Sequence, residues 1–143
     1  MNQTDPYNLQ RFLDAQAPIY QQVCAELHAG QKRTHWIWYI FPQIAGLGKS
    51  AMSQRYAISG AQEAEAYLRH DIIGQRLMEC TRLVLAVEGR SILQIFGTVD
   101  SQKFQSCMTL FAQVQPEAEC FRKALDMHFG GKFDDLTIQY LAR

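Results

Sequence analysis

Thr34-His35-Trp36-Ile37-Trp38-Tyr39-Ile40-Phe41-Pro42 is the densest aromatic run of the chain, and its reading as strand or helix decides the fold class. As a strand it would alternate Trp36, Trp38 and Ile40 against Ile37, Tyr39 and Phe41; as a helix it would be capped by Thr34 and stopped at Pro42. Nine residues are too few for the period to decide. No neighbouring segment supplies strand partners, so a short helix is the preferred reading. The following Gln43-Ile44-Ala45-Gly46-Leu47-Gly48-Lys49-Ser50 reads as a loop whose two glycines can take positive φ or let another group approach the backbone.

Helix punctuation surrounds this run on both sides. Asp5-Pro6 places an N-cap carboxylate before a proline, ahead of Leu9, Phe12 and Leu13. Pro18 opens a second helix with the stripe Ile19, Val23 and Leu27, ended by Gly30. Beyond the loop, Ser50 to Tyr56 can form another short helix, and Ser59 with Gln62 has the capping-box pattern before Ala61 to Arg69. Asp71 is the expected cap of the longest helix, 72 to 88, and Gly89 its end. Ser91, Asp100, Pro116 and Asp134 start the remaining helices. The expectation is an all-α, single-domain orthogonal bundle of eight or nine short helices spanning residues 1–143, since helices of two to four turns must cross at steep angles around one core.

Composition supports a packed core and excludes several classes of function. The chain of 143 residues is 48% hydrophobic, with eight Phe, six Tyr and two Trp, which excludes intrinsic disorder. Fourteen basic residues balance 14 acidic ones, so no long-range field attracts nucleic acid. The polar start Met1-Asn2-Gln3-Thr4-Asp5-Pro6 lacks an apolar leader core, and no apolar stretch reaches bilayer length; a soluble, cytoplasmic protein is expected. Cys24, Cys80, Cys107 and Cys120 show no CxxC spacing and read as reduced thiols.

Most familiar chemistries fail on spacing. Gly48-Lys49-Ser50 resembles the end of a phosphate loop, but the glycine needed five residues earlier is Gln43. His28, His35, His70 and His128 make no HExxH and no i, i+4 pair, so neither a metal nor a cofactor is expected. No GxSxG elbow is present. What remains is a set of residues that could line one cleft. His35, Trp36, Trp38 and Tyr39 offer rings to a planar ligand, unless the run is merely a central core helix. Gln43, Gly46, Gly48, Lys49 and Ser50 offer backbone amides and a positive charge to an anion, unless they form a plain turn. Lys103, Ser106 and Thr109, spaced by threes, share one side of a helix that could equally be a solvated face. Glu63 and Asp100 are the candidate general acid or base.

Several strings occur together: Arg11-Phe12 with Ala15-Gln16, Thr34-His35-Trp36 through Phe41-Pro42-Gln43, Gly46-Leu47-Gly48-Lys49-Ser50, Glu63-Ala64 with Tyr67-Leu68, and Phe96-Gly97 through Thr109-Leu110-Phe111. In this respect the chain resembles the bacterial family known as domain of unknown function 1810, sometimes labelled calpastatin, over about residues 5 to 142. The resemblance implies a small helical protein and carries over no catalytic residue. The inhibitor label conflicts with the composition, because calpastatin-type inhibition uses disordered segments that fold on their target.

Three readings follow. The first is a domain that binds or processes a planar anionic metabolite, a nucleotide or ribosyl phosphate, with N-glycosidic bond chemistry at Glu63 or Asp100 as its catalytic form. The second is an interaction module or homodimer with the aromatic run as anchor. The third is a structural domain without a site. A hollow lined jointly by the 35 to 50 region and the Lys103 helix would favour the first.

Overall fold

Caps, glycines and prolines divide residues 5–143, which the computed structural model describes, into ten helices: α1 (Gln10–Gln16), α2 (Tyr20–His28), α3 (Ile37–Ile40), α4 (Ala51–Arg55), α5 (Ala61–Arg69), α6 (Ile73–Ala86), α7 (Ile92–Phe96), α8 (Thr98–Val114), α9 (Glu119–Phe129) and α10 (Asp135–Leu141). The all-α reading holds, with ten helices among the described residues rather than eight or nine. The aromatic run contributes a single turn, α3, with Ile37 and Ile40 buried and Trp38 and Tyr39 half-buried.

Ser50, Ser91 and Asp134 cap as expected; Ser91 completes a capping box with Gln94, and Gly130 ends α9 in the left-handed region at φ 61°. Other starts differ from those expected. His70 Nδ1, not Asp71, accepts from the backbone N–H of Ile72 and Ile73 at the start of α6. The Glu63 carboxylate accepts from Ser59 N–H in place of a Ser59–Gln62 box. α8 begins at Thr98 after Gly97, which puts Asp100 inside its first turn, and α9 begins at Glu119 rather than Pro116.

α8 is the axis of the bundle. Its residues Phe104, Cys107, Met108, Leu110 and Phe111 are buried, and α3, α5, α7, α9 and α10 all pack against it. Phe104 is sandwiched between Phe41, edge-on at 4.9 Å and 90°, and Phe96, stacked at 4.9 Å and 25°. Each such aromatic pair adds about 0.5–1.5 kcal/mol beyond simple burial. All four cysteines are free thiols; burial raises the pKa of each, that of Cys80 to about 12 and that of the fully enclosed Cys107 well above its ordinary value.

The aromatic run is held by a residue that its own sequence does not advertise. Glu26, on α2 and 3% exposed, accepts from Arg33 N–H (2.7 Å), Thr34 N–H (3.0 Å), Thr34 Oγ1 (2.7 Å), Gln22 Nε2 (2.9 Å) and Trp36 Nε1 (3.0 Å). Thr34 therefore anchors the loop to α2 instead of capping α3. Burial alone would push the Glu26 carboxyl up, but these donors, led by Arg33 N–H, together pull it down to about 2 from an ordinary 4.5. Lys32 Nζ lies 5.0 Å from the Trp36 ring and 2.8 Å from Asp100 Oδ2, which fastens the same loop to α8.

The folded carboxyl titrates below its unfolded counterpart, so its contribution is complete above about pH 4.5 and lost as pH falls toward 2. Glu26→Gln should cost on the order of 2–4 kcal/mol at pH 7, since an amide cannot satisfy this donor set. Thermal melts of both proteins from pH 7 to pH 2.5 check this, and the difference should narrow on acidification. Gly74, in the first turn of α6, abuts α5: a Cβ there would meet Leu68 O at 2.2 Å and Tyr67 O at 3.0 Å, both backbone atoms. Gly74→Ala should destabilise by about 1–3 kcal/mol or more, read as a lowered urea midpoint.

Candidate functional site

A hollow of about 380 Å³ lies where the loop after α3, the N-terminal half of α8 and the start of α10 meet. Small-molecule sites span roughly 300–1,000 Å³, so its volume suits a small metabolite. Gln43, Gly48, Lys103, Ser106 and Asp134 line it with polar groups, and Leu47, Val99 and Leu136 supply apolar walls.

Local structure explains why these residues meet. Gln43 O accepts from Ile58 N–H (2.9 Å) and Ala45 N–H donates to Ile58 O (2.8 Å), an isolated bridge that pins the loop to the segment before α5. Gly46 takes φ 103° and lies flat against Tyr140 of α10, where a Cβ would come within 3.1 Å of the ring. The loop is thus clamped between the bridge and α10. On α8, Lys103 reaches toward α3 and sets its ammonium 5.6 Å from the Trp38 ring centroid. Trp38 Nε1 is buried and has no hydrogen-bond acceptor among the described residues. Lys103 has no carboxylate within ion-pair distance among those residues.

Of the residues singled out in the sequence, the fold brings Gln43, Gly48, Lys103 and Ser106 to one cavity, with Trp38 beside Lys103. Thr109 is fully buried behind it; its hydroxyl donates to Gln105 O (2.8 Å) and accepts from Asp134 N–H (2.9 Å). The others stand apart. Trp36 is 1% exposed and gives its N–H to Glu26. His35 is exposed, and Tyr39 packs edge-on against Tyr56 at 5.2 Å. Lys49 is exposed outside the cavity wall, and Ser50 Oγ is occupied in capping α4. Gly46 meets Tyr140 rather than the hollow.

The two candidate acid–base carboxylates each hold a cation. Glu63 accepts from Arg11 at 2.9 Å through Oε2 and from Ser59 N–H at 2.9 Å through Oε1. The same Arg11 guanidinium also donates to the carbonyls of Tyr7, Asn8, Arg55 and Ala57, so the pair ties α1 to the α4–α5 connection. Asp100 holds Lys32. No group of three or more His, Cys, Asp or Glu side chains among the described residues is arranged to hold a metal ion. No helix there is long and apolar enough to cross a membrane. An anchor patch built on the aromatic run has little surface, since Trp36, Ile37, Ile40 and Phe41 are all buried.

Asp134 and the apolar walls Val99 and Leu136 are site features that sequence reasoning missed. Asp134 reads only as a helix cap in the sequence; its place on the cavity wall depends on α10 packing against α8. Wider grooves exist elsewhere, of about 520 Å³ beside α6, 510 Å³ beside the start of α5 and 440 Å³ between the segment before α1 and the end of α5. In the first two, Arg76 lies over the Tyr20 ring at 4.5 Å and donates to Gln16, and Glu63 is bound by Arg11.

No curated protein matches the chain. The crystal structure of the conserved hypothetical protein Rv1873 from Mycobacterium tuberculosis is similar to it, with 50% sequence identity and a TM-score of 0.96, covering 97% of this chain and 99% of that one. The helical architecture described above is therefore shared by an experimentally determined structure at high identity. The family model described as "Protein of unknown function (DUF1810)" matches residues 6–141, and the chain belongs to that family.

Proposed function

We propose that the protein binds a small anionic metabolite with a planar part, of the size of a nucleoside monophosphate or ribosyl phosphate, in the hollow between the Gln43–Gly48 loop and α8. The observation that carries this reading is Lys103: a partly buried ammonium at a cavity wall, held beside Trp38 and without a carboxylate partner. A half-buried cation at a cavity wall with no fixed counter-charge favours an anion bound beside it, and the cavity is where that anion would sit.

The rest of the lining suits the same ligand. Leu47, Val99 and Leu136 offer apolar contact to a ring, with Val99 and Leu136 exposed at 64% and 49%. Gln43 and Gln102 present amides that make no side-chain hydrogen bond among the described residues, and they can read neutral polar edges. This reading is one of binding. Glu63 and Asp100 would have to release Arg11 and Lys32 before serving as an acid or base, so catalysis at a glycosidic bond is not part of it.

Isothermal titration with AMP, ADP-ribose and ribose 5-phosphate tests the proposal. At least one should bind, and Lys103→Met, which keeps the stem and removes the charge, should weaken it by roughly 10–100-fold, the worth of a charge-assisted contact. Absence of binding at millimolar ligand, or equal binding by the Lys103→Met protein, would overturn it.

A further inference from the structure

The hollow that holds Lys103 also holds a carboxylate whose fixation exceeds what a helix cap needs. Capping α10 requires one acceptor for Thr137 N–H. Asp134 Oδ2 accepts that bond (3.1 Å) and two more, from Thr137 Oγ1 (2.5 Å) and from Ser106 Oγ (3.2 Å), a hydroxyl also placed 3.1 Å from Gln102 O. The Asp134 backbone N–H donates to Thr109 Oγ1. Ser106, Thr109 and Thr137 are 5%, 0% and 0% exposed, so two helices hold this side chain through buried hydroxyls.

Every one of these donors to the carboxylate reaches Oδ2. Among the described residues none reaches Oδ1, although Asp134 lines the cavity and Lys103 lines it too without pairing with Asp134. An ionised carboxylate can only accept, so its second oxygen calls for a donor. A second cation beside Lys103 would be repelled, so the donor is a neutral one, and on a ligand whose anionic end is a sugar phosphate the groups nearest that end are the sugar hydroxyls. The two charges also give the hollow a direction, with the anionic end of a ligand at Lys103 and its hydroxylated part at Asp134.

We infer that Asp134 is the specificity-determining residue of this cavity and that its ligand is a phosphorylated compound bearing free sugar hydroxyls, rather than a hydroxyl-free aryl acid. The inference rests on the anion-binding reading above. A site that hydrogen-bonds a hydroxyl discriminates against the analogue lacking it, because the carboxylate oxygen, half-buried in the free protein and cut off from water by the bound ligand, is then left without a partner.

Titrations with AMP and with 2′,3′-dideoxyadenosine 5′-monophosphate test it, since base and phosphate are common and only the hydroxyls differ. The unaltered protein should bind AMP about tenfold or more tightly than the dideoxy compound. Asp134→Asn keeps an oxygen for the cap but turns an amide N–H₂ toward the cavity, and should bring the ratio to near unity, with any gain from the lost negative charge shared by both nucleotides. Asp134→Ser, which keeps a capping oxygen and vacates the cavity position, should do the same. Equal binding of the two nucleotides by the unaltered protein, or a ratio that survives in well-folded Asp134→Asn and Asp134→Ser proteins, overturns this inference alone. If neither nucleotide binds at millimolar concentration and ribose 5-phosphate and ADP-ribose also fail, the anion-binding reading falls and takes this one with it.

Discussion

The Glu26 carboxylate is the constraint around which the aromatic half of the molecule is arranged. An ionised group so deeply enclosed is tolerable only because five donors surround it, and four of them come from the segment that leads into α3. That segment has no regular structure of its own, so its backbone amides need an outside acceptor, and α2 supplies it. Once Arg33, Thr34 and Trp36 are fixed, the single turn of α3 must start at Ile37. Its two isoleucines then point inward, and Trp38 is left at the surface of the core, next to α8. The position of the cavity wall is thus a downstream result of one charge on another helix.

α8 performs two jobs on two faces. One face carries Phe104, Cys107, Met108 and Phe111 into the aromatic core; another carries Lys103, Ser106 and Thr109 toward the loop and α10. A helix with so many packed neighbours moves little, so the polar groups on its second face are presented in fixed geometry. The Thr109 hydroxyl donates to Gln105 O one turn earlier while it accepts from Asp134 N–H, and the single proton of the Ser106 hydroxyl lies between Gln102 O and Asp134 Oδ2.

The all-α architecture was legible because its signals are local: Ser91 with Gln94, Asp134 with Thr137 and Gly130 act within one turn of the chain. The convergence of Gln43, Gly48, Lys103 and Ser106 was legible as a pattern, since loop glycines and a polar helix stripe at threefold spacing are both visible in the residues. What could not be read were contacts across long separations. Nothing near Glu63 announces that Arg11, 52 residues away, will occupy it, and nothing near Asp100 announces Lys32. Trp36 and Trp38 look alike in sequence, yet the fate of each depends on Glu26 and Lys103. The start of α6 was misread for a local reason instead, since the ring nitrogen of His70, next to Asp71 in the chain, takes the role expected of that aspartate.

The two indoles also give the molecule a built-in pair of optical reporters. Trp36 is sealed in the core with its N–H bonded to a carboxylate, so its emission follows global unfolding. Trp38, half-buried with an ammonium near its face, sits where electrostatic changes at the hollow would alter its spectrum. Replacing either ring singly would separate the two signals, so that unfolding and changes at the hollow can be followed independently without an attached dye.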